Sequence, residues 1–224
     1  MDLAETLKEG LSSKTVFTVL GINVDEATVV TWIIMAVITL LCFLLTRNLR
    51  VTNISKRQAA VEYIVTKLEE IVGGMIGEHG RAYIPYLVTV LLYLGFANII
   101  GVFGFKPPTK SLNVTASLAV MSIILVQYAV IRAKGVRGWL KGFKSPTPIV
   151  TPFNILDLVT RPLSLCMRLF GNILGAYIIM EIIKYVVPVI IPAALSLYFD
   201  FFDGILQAYV FVFLTSMYIK EALE

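Results

Sequence analysis

The feature that most restricts the fold of this chain is a series of five long apolar segments separated by polar or charged stretches. A helix needs about 20 consecutive apolar residues to cross the hydrocarbon layer of a membrane. The chain is 58% hydrophobic and 15% charged, whereas soluble domains are about 45–50% apolar and about 25% charged. We therefore predict an all-α polytopic membrane protein with about five transmembrane helices, the last two forming a long, tilted hairpin. The predicted spans are about residues 29–45, 85–105, 114–131, 161–187 and 193–219.

Basic residues cluster after the first and third apolar segments, and this predicts the orientation. Loops rich in Lys and Arg stay in the cytoplasm. We therefore expect an extracytoplasmic segment over residues 1–28, a single membrane domain over residues 29–224 and a cytoplasmic C-terminus. Because no basic stretch opens the chain, we expect no cleaved signal peptide. The two basic clusters are Arg47, Arg50, Lys56 and Arg57, then Arg132, Lys134, Arg137, Lys141 and Lys144.

The stretches between the spans also carry patterns. Residues 54–76 place apolar residues at helical spacing among charged ones, which predicts an amphipathic helix on the membrane surface or against a partner helix. We expect Gly73, Gly74 and Gly77 to end it. After the third span we expect a basic loop. It is followed by a proline-rich break and a short, separate re-entrant helix over Asn154–Thr160.

The composition argues against several classes of site. Cys42 and Cys166 lie inside apolar segments, as small buried residues do, and no Cys or His spacing matches a metal or redox site. His79 is the sole histidine, so a metal site built from several histidines is excluded. The sequence has no phosphate-binding loop. We therefore expect no cofactor, no metal and no catalytic site in this chain itself.

One arginine stands inside the fourth apolar segment. Arg168 is flanked by Met167 and Leu169, and a guanidinium group at the membrane centre costs roughly 2.5–3.5 kcal/mol on insertion scales. Such a charge reaches the interface, finds a partner or takes part in function. At 100° per residue, Arg168 shares one helical face with small and polar residues that let another helix approach closely. These residues are Ser164, Gly171, Asn172 and Gly175.

A second polar face follows on the same predicted helix. Tyr177, Glu181 and Lys184 recur at helical spacing and project roughly opposite Arg168. Glu181 and Lys184 are three residues apart, so they can simply pair with each other. Alternatively, Tyr177 and Glu181 line a hydrated vestibule. Two polar faces on one apolar helix suggest a path for ions.

The last apolar segment adds Asp200, Asp203 and Gln207, spaced i, i+3 and i+7 on one helical face. Carboxylates at membrane depth normally line water or pair with a cation. We predict that the two aspartates line the same vestibule, where protons or hydrated cations enter, and that Gln207 shares hydrogen bonds with Arg168. The alternatives are interfacial aspartates beside the preceding turn, and an Arg168 that only stabilises packing through an internal ion pair.

Five motifs together resemble subunit a of F-type ATP synthases, and the resemblance runs from about residue 85 to residue 220. The most specific is the Arg-Leu-Phe-Gly-Asn run within the fourth segment. The motifs are Arg161-Pro-Leu-Ser-Leu-x-x-Arg168-Leu-Phe-Gly-Asn172, Leu206–Thr215, Ala97–Gly101, Pro108–Thr115 and Asn154–Asp157.

The resemblance implies a stator subunit in the inner (plasma) membrane of a bacterium. Such a subunit would work with a ring of c subunits, the b-subunit peripheral stalk and the remaining subunits of the complex. Two offset aqueous half-channels would carry ions to and from a ring carboxylate, coupling their flow to ring rotation. Arg168 matches the arginine that faces this carboxylate, expels its ion and blocks leakage. Opposite charges about 4 Å apart at an effective dielectric constant of about 20 attract each other by roughly 4 kcal/mol.

Two positions depart from the family pattern. Many members carry Glu or His nine residues after the arginine, where this chain has Tyr177, with Glu181 one turn later. Where members carry Glu or His seven residues before the glutamine, this chain has Asp200 and an additional Asp203. The identity of the transported ion, H+ or Na+, stays open, because it is largely decided by the ion site of the ring, which this chain does not contain. The implied translocation residues are Arg168, Asn172, Tyr177, Glu181, Asp200, Asp203 and Gln207, with Ser164, Gly171 and Gly175 packing against the ring.

Two other functions remain as alternatives. A stand-alone secondary transporter would use Arg168 to bind an anionic solute, but no internal repeat is visible. An intramembrane enzyme would use Asp200 and Asp203 as acid and base, although such pairs usually stand on two facing elements rather than three residues apart on one helix. A transporter should function without partners, whereas a stator subunit should co-purify with a ring and a peripheral stalk.

Overall fold

A computed structural model of the chain describes residues 15–19, 22–47, 49–50, 55–103, 106–144, 151–186, 192 and 195–223. Its long helices are α1 (Glu26–Thr46), α2 (Lys56–Ile76), α3 (Ile84–Ile99), α4 (Leu112–Lys144), α5 (Thr151–Val186) and α6 (Gly204–Leu223). Short 3-10 helices cover Glu78–Tyr83, Ile100–Phe103 and Pro108–Lys110, and a π-helix covers Leu197–Asp203. The strands β1 (Thr15–Val19) and β2 (Ile22–Asp25) pair antiparallel.

Within the described residues, five helical segments are long and apolar enough to cross a membrane, and this confirms the predicted fold class. Each contains a strongly apolar stretch with few charges, which a bilayer accepts because a helix satisfies its own backbone hydrogen bonds. The segments are Glu26–Thr46, Glu78–Val102, Leu112–Leu140, Thr151–Lys184 and Leu197–Leu223.

Contacts at the two ends of the bundle show that the first and second spans are antiparallel, as are the fourth and fifth. At one end, Lys106 Nζ lies 3.8 Å from Glu26 Oε2, so the end of the second span meets the start of the first. At the other end, an Arg161 guanidinium nitrogen lies 2.8 Å from Glu221 Oε1. This pair joins the beginning of α5 to the end of α6.

The core forms where α3, α4, α5 and α6 meet. Leu87 and Leu94 of α3, Leu169 of α5 and Phe211 and Val212 of α6 are almost completely buried there. Helix α1 lies at the edge, and Ile34 is its only buried residue. Most of its other apolar side chains are exposed, as expected of a helix surrounded by lipid.

The predicted basic loop after the third span is wrong. Helix α4 continues through these residues to Lys144, with one interruption at Gly135, where φ is +70°. This left-handed conformation suits glycine and turns the chain. Trp139 Nε1 can therefore donate to Gln127 Oε1 at 2.8 Å, a distance that a straight helix between them excludes. The first proline after this stretch is Pro146, so no proline breaks the helix earlier.

The separate re-entrant helix is also wrong. Asn154–Thr160 belongs to α5, which continues through Pro162 into the fourth span. A proline inside a helix removes a backbone hydrogen bond, and a membrane helix tolerates this where its surroundings compensate. The proline-rich break before α5, at residues 145–150, lies outside the described residues.

The amphipathic helix is confirmed as α2, although its predicted end is only partly right. Ser55 Oγ accepts a hydrogen bond from the Gln58 backbone N–H and caps the start. Gly73 and Gly74 stay within the helix, and Gly77, with φ of +74°, ends it. The hairpin β1–β2 was not predicted, because two short strands leave little periodicity in a mixed polar segment.

Candidate functional site

Arg168 lies on an exposed face of α5. Ser164, Gly171 and Asn172 are exposed beside it and Gly175 is half-buried, whereas Leu169 points into the core. No hydrogen bond or ion pair joins Arg168 to the residues that the structure describes. The small, polar face predicted from the spacing is therefore exposed at Ser164, Arg168 and Gly171.

Asn172 connects this face to the last span. Its Nδ2 donates to Gln207 Oε1 at 3.1 Å and is 3.2 Å from Asp203 Oδ1. The structure thus differs from the prediction that Gln207 bonds to Arg168. Asn172 stands one turn further along α5 and takes the Gln207 oxygen. Gln207 is 4% exposed, and its Nε2 has no hydrogen-bond partner within the described ranges.

A cavity of about 300 Å³ that contains several charged side chains lies next to this bridge. The side chains of both spans that were predicted to line a common vestibule come together in this cavity. Tyr177 and Glu181 line it from α5, and Asp200 and Asp203 line it from the last span. Three lysines also line it, and of these only Lys184 was expected on this face. They are Lys106, Lys110 and Lys184.

The aspartates stand on a π-helix rather than on the regular helix that the prediction assumed. A π-helix has i→i+5 hydrogen bonds and is frequent at functional sites. Leu197–Asp203 adopts this form, and both Asp200 and Asp203 still line the cavity. A side chain at Gly101 would place its Cβ 3.0 Å from Asp200 Oδ1. Glycine at this position therefore allows the carboxylate to come close.

Asn98 fixes the junction between the π-helix and α6. Its Nδ2 donates to the Gly204 carbonyl oxygen at 2.9 Å, and its Oδ1 accepts from Thr109 Oγ1 at 2.9 Å. Asn98 and Thr109 are both buried. The prediction did not include either residue in the site, although a buried amide inside an apolar span was a usable signal.

Two contacts made by lysine side chains lie along the α5 side of the cavity: one is an ion pair and the other is a cation–aromatic contact. Lys184 Nζ is 3.3 Å from Glu181 Oε2, so the predicted alternative of an i, i+3 pair is present. This ion pair leaves the buried Glu181 Oε2 without a hydrogen bond from the described residues. Lys110 Nζ lies 3.1 Å from the centroid of the Tyr177 ring. Burial, followed by the charge of Lys106, lowers the pKa of Lys110 to about 8.

A separate charged cluster lies at the opposite end of α5. Arg161 contacts Glu221 at 2.8 Å and Asp157 at 3.7 Å, and its guanidinium carbon lies 5.0 Å from the centre of the Tyr218 ring. This cluster borders a second cavity of about 180 Å³. Among the described residues, no three His, Cys, Asp or Glu side chains are placed to hold a metal ion.

Known proteins resemble this chain over most of its length. The family described as ATP synthase A chain matches residues 28–220. ATP synthase subunit a of Moorella thermoacetica is 35% identical over 89% of this chain and 91% of its own length. ATP synthase subunit a 1 of Crocosphaera subtropica is 32% identical over 91% and 89%.

A third relative is described as sodium ion specific. It is ATP synthase subunit a of Propionigenium modestum, 32% identical over 92% of this chain and 76% of its own length. These similarities confirm the resemblance found from the motifs, and they give no support to a stand-alone transporter. The chain therefore belongs to the ATP synthase A chain family, and it is a membrane-embedded, non-catalytic, ion-translocating subunit of an F-type ATP synthase.

Proposed function

We propose that Arg168 is the residue of this stator subunit that faces the ion-binding carboxylate of a c-subunit ring. The observation that carries the proposal is its position on an exposed face without a hydrogen bond or ion pair to the described residues. An arginine at membrane depth costs roughly 2.5–3.5 kcal/mol when left alone. A carboxylate supplied by another subunit offsets that cost.

The neighbours of Arg168 suit a close approach of ring helices. Ser164, Gly171 and Gly175 are small, and small residues let membrane helices come close. A Cβ added at Gly171 or Gly175 would meet nothing within 4 Å. In our proposal these glycines leave room for the ring helices to pass close to Arg168 while the ring turns.

The cavity lined by Tyr177, Glu181, Asp200 and Asp203 is the proposed half-channel on one side of the membrane. Asn172 lies between this cavity and Arg168, and it contacts both Asp203 and Gln207. A proton or a hydrated cation would reach the ring by way of these polar groups. The named specificity of the Propionigenium modestum relative makes Na+ a candidate ion beside H+.

We further propose how the subunit sits in its membrane and complex. Residues 1–28 form an extracytoplasmic segment and residues 29–224 one membrane domain in the inner membrane of a bacterium, with the C-terminus in the cytoplasm. The clusters of basic residues after the first and third spans support this orientation. The c ring and the b-subunit peripheral stalk are its proposed direct partners.

Replacement of Arg168 by alanine tests the proposal. We expect Arg168→Ala to abolish coupled ATP synthesis in proteoliposomes while the assembled complex is still recovered. Arg161→Gln serves as the matched control, because this arginine is on the same helix and has its partners within the chain. Normal ATP synthesis by the assembled Arg168→Ala complex would refute the proposed role.

A further inference from the structure

The cavity beside α5 holds cations that belong to the protein itself. Three lysines and three acids line it, so the carboxylates do not present an uncompensated negative charge to an arriving ion. A path that only collected cations from solution would gain from leaving these acids unpaired. The six residues are Lys106, Lys110, Lys184, Glu181, Asp200 and Asp203.

Lys110 is the lysine whose position is most restricted. It ends the 3-10 helix Pro108–Lys110, whose Thr109 is fully buried and donates to Asn98 Oδ1 at 2.9 Å. This anchor holds the segment against the bundle. The ammonium group of Lys110 then lies 3.1 Å from the centroid of the Tyr177 ring, which attracts a cation through its negative face.

The charges around Lys110 come from several elements of the fold. Lys106 and Lys184 disfavour its protonated form, whereas Glu181 and Glu26 favour it. Burial has the largest effect and, together with the Lys106 charge, lowers its pKa to about 8. Lys110 is therefore mainly charged at pH 7 and becomes neutral as the pH rises through about 8.

We propose that Lys110 is a tethered competitor of the transported ion: its ammonium group occupies the cation position over Tyr177 and near Glu181, and an arriving ion must displace it. This inference rests on the proposed function, because it takes the cavity as the path of the ion. Lys110 thereby sets the ion concentration at which the path fills. It is a positioning and specificity-determining residue rather than a carrier of the ion.

Removing this charge makes the cavity more attractive to cations. Lys110→Gln keeps a polar side chain but loses the ammonium group. We expect the half-saturating ion concentration to fall about tenfold, because one charge at contact distance is removed from the site. The maximal rate at saturating ion stays near that of the wild type. Lys110→Arg stays charged at every working pH and keeps the high half-saturating concentration.

The experiment uses the whole ATP synthase in proteoliposomes with a fixed diffusion potential. ATP synthesis is recorded while the concentration of Na+, or of protons, is varied on the side of the cavity. Lys67→Gln is the matched control, because this exposed lysine lies on α2 and pairs with Glu70; it leaves the half-saturating concentration unchanged. Lys106→Gln shifts it less than Lys110→Gln, because the Lys106 ammonium group faces Glu26 at 3.8 Å.

An unchanged half-saturating concentration in an assembled Lys110→Gln complex overturns the inference. A shift of the same size in Lys67→Gln overturns it too, since the effect would then be one of general charge. If Arg168→Ala is inactive while Lys110→Gln behaves like the wild type, only this inference fails. Normal coupling in Arg168→Ala instead overturns the proposed function beneath it.

A pH series decides the question if Lys110→Gln does not assemble. With Na+ as the ion, the wild-type half-saturating concentration falls about tenfold between about pH 7 and pH 9 as Lys110 loses its charge, and that of Lys110→Arg does not. With protons as the ion, wild-type synthesis exceeds that of Lys110→Arg once the pH on the cavity side rises above about 8. Coincident profiles of the two proteins overturn the inference.

Discussion

Arg161 and Arg168 lie about two turns apart on α5 and meet opposite surroundings. Arg161 is held by Glu221 at 2.8 Å, by Asp157 at 3.7 Å and by the ring of Tyr218. Arg168 has no such partner among the described residues. The same side chain on one helix is thus satisfied within the chain at one position and left exposed at the other.

This difference separates a charge that stabilises the fold from one that awaits a partner. A paired arginine such as Arg161 can be replaced at modest cost, because the exchange concerns partly exposed ion pairs. An exposed arginine at membrane depth costs the subunit free energy until another protein supplies an anion. The comparison therefore predicts that substitutions around Arg168 affect coupling, while those around buried contacts affect stability.

After the loss of Arg168 itself, the largest effect is expected from a bulky residue on the Arg168 face. Gly171→Leu should reduce coupled ATP synthesis at least about tenfold, because leucine would keep ring helices from approaching closely. The subunit itself should fold, since a Cβ at this position meets nothing within 4 Å. Gly95→Leu on α3 is the matched control, as its added Cβ also meets nothing within 4 Å. Equal ATP synthesis by the two variants would contradict the assignment of this face to the ring.

A smaller effect is expected where α6 meets α3. In Gly204→Ala, the new Cβ would lie 2.9 Å from Asn98 Cβ. We expect a loss of about 1–3 kcal/mol in stability from this overpacking. Native gels of the solubilised complex, heated in steps, report the temperature at which the subunit is lost. Gly171→Ala should leave that temperature unchanged, and an equal drop in both variants would argue against the close contact.

The smallest effect is expected at Arg161. Replacing it in Arg161→Gln removes ion pairs whose acidic partners are largely exposed, and such pairs contribute about 0–1 kcal/mol. Thermal dissociation of the complex should therefore change little, and ATP synthesis should remain close to wild type. A collapse of ATP synthesis with full assembly would show that the two arginines do not divide their roles in this way.

Hydropathy alone predicted the spans and the amphipathic helix, because both depend on side chains close in sequence. The helical course through Pro162 and through the basic residues at the end of α4 was not predicted from the local sequence, because a membrane helix can tolerate a proline and basic residues do not end a helix. The Arg168 face was predicted from helical spacing. The Asn172–Gln207 bond and the place of Lys110 over Tyr177 required tertiary structure, because their partners come from distant parts of the chain.

The π-helix at Leu197–Asp203 changes the direction in which side chains of the last span point around the helix axis. Each i→i+5 turn takes one residue more than an α-turn, so side chains before it are rotated by about 100° relative to an uninterrupted α-helix. The π-helix thus changes the angle, measured about the helix axis, between Asp200 and Gln207. If the same residues were wound as a regular α-helix, Asp200 would turn by about 100° about the helix axis relative to Gln207. The winding of this segment, as much as its composition, thus decides which way this carboxylate faces.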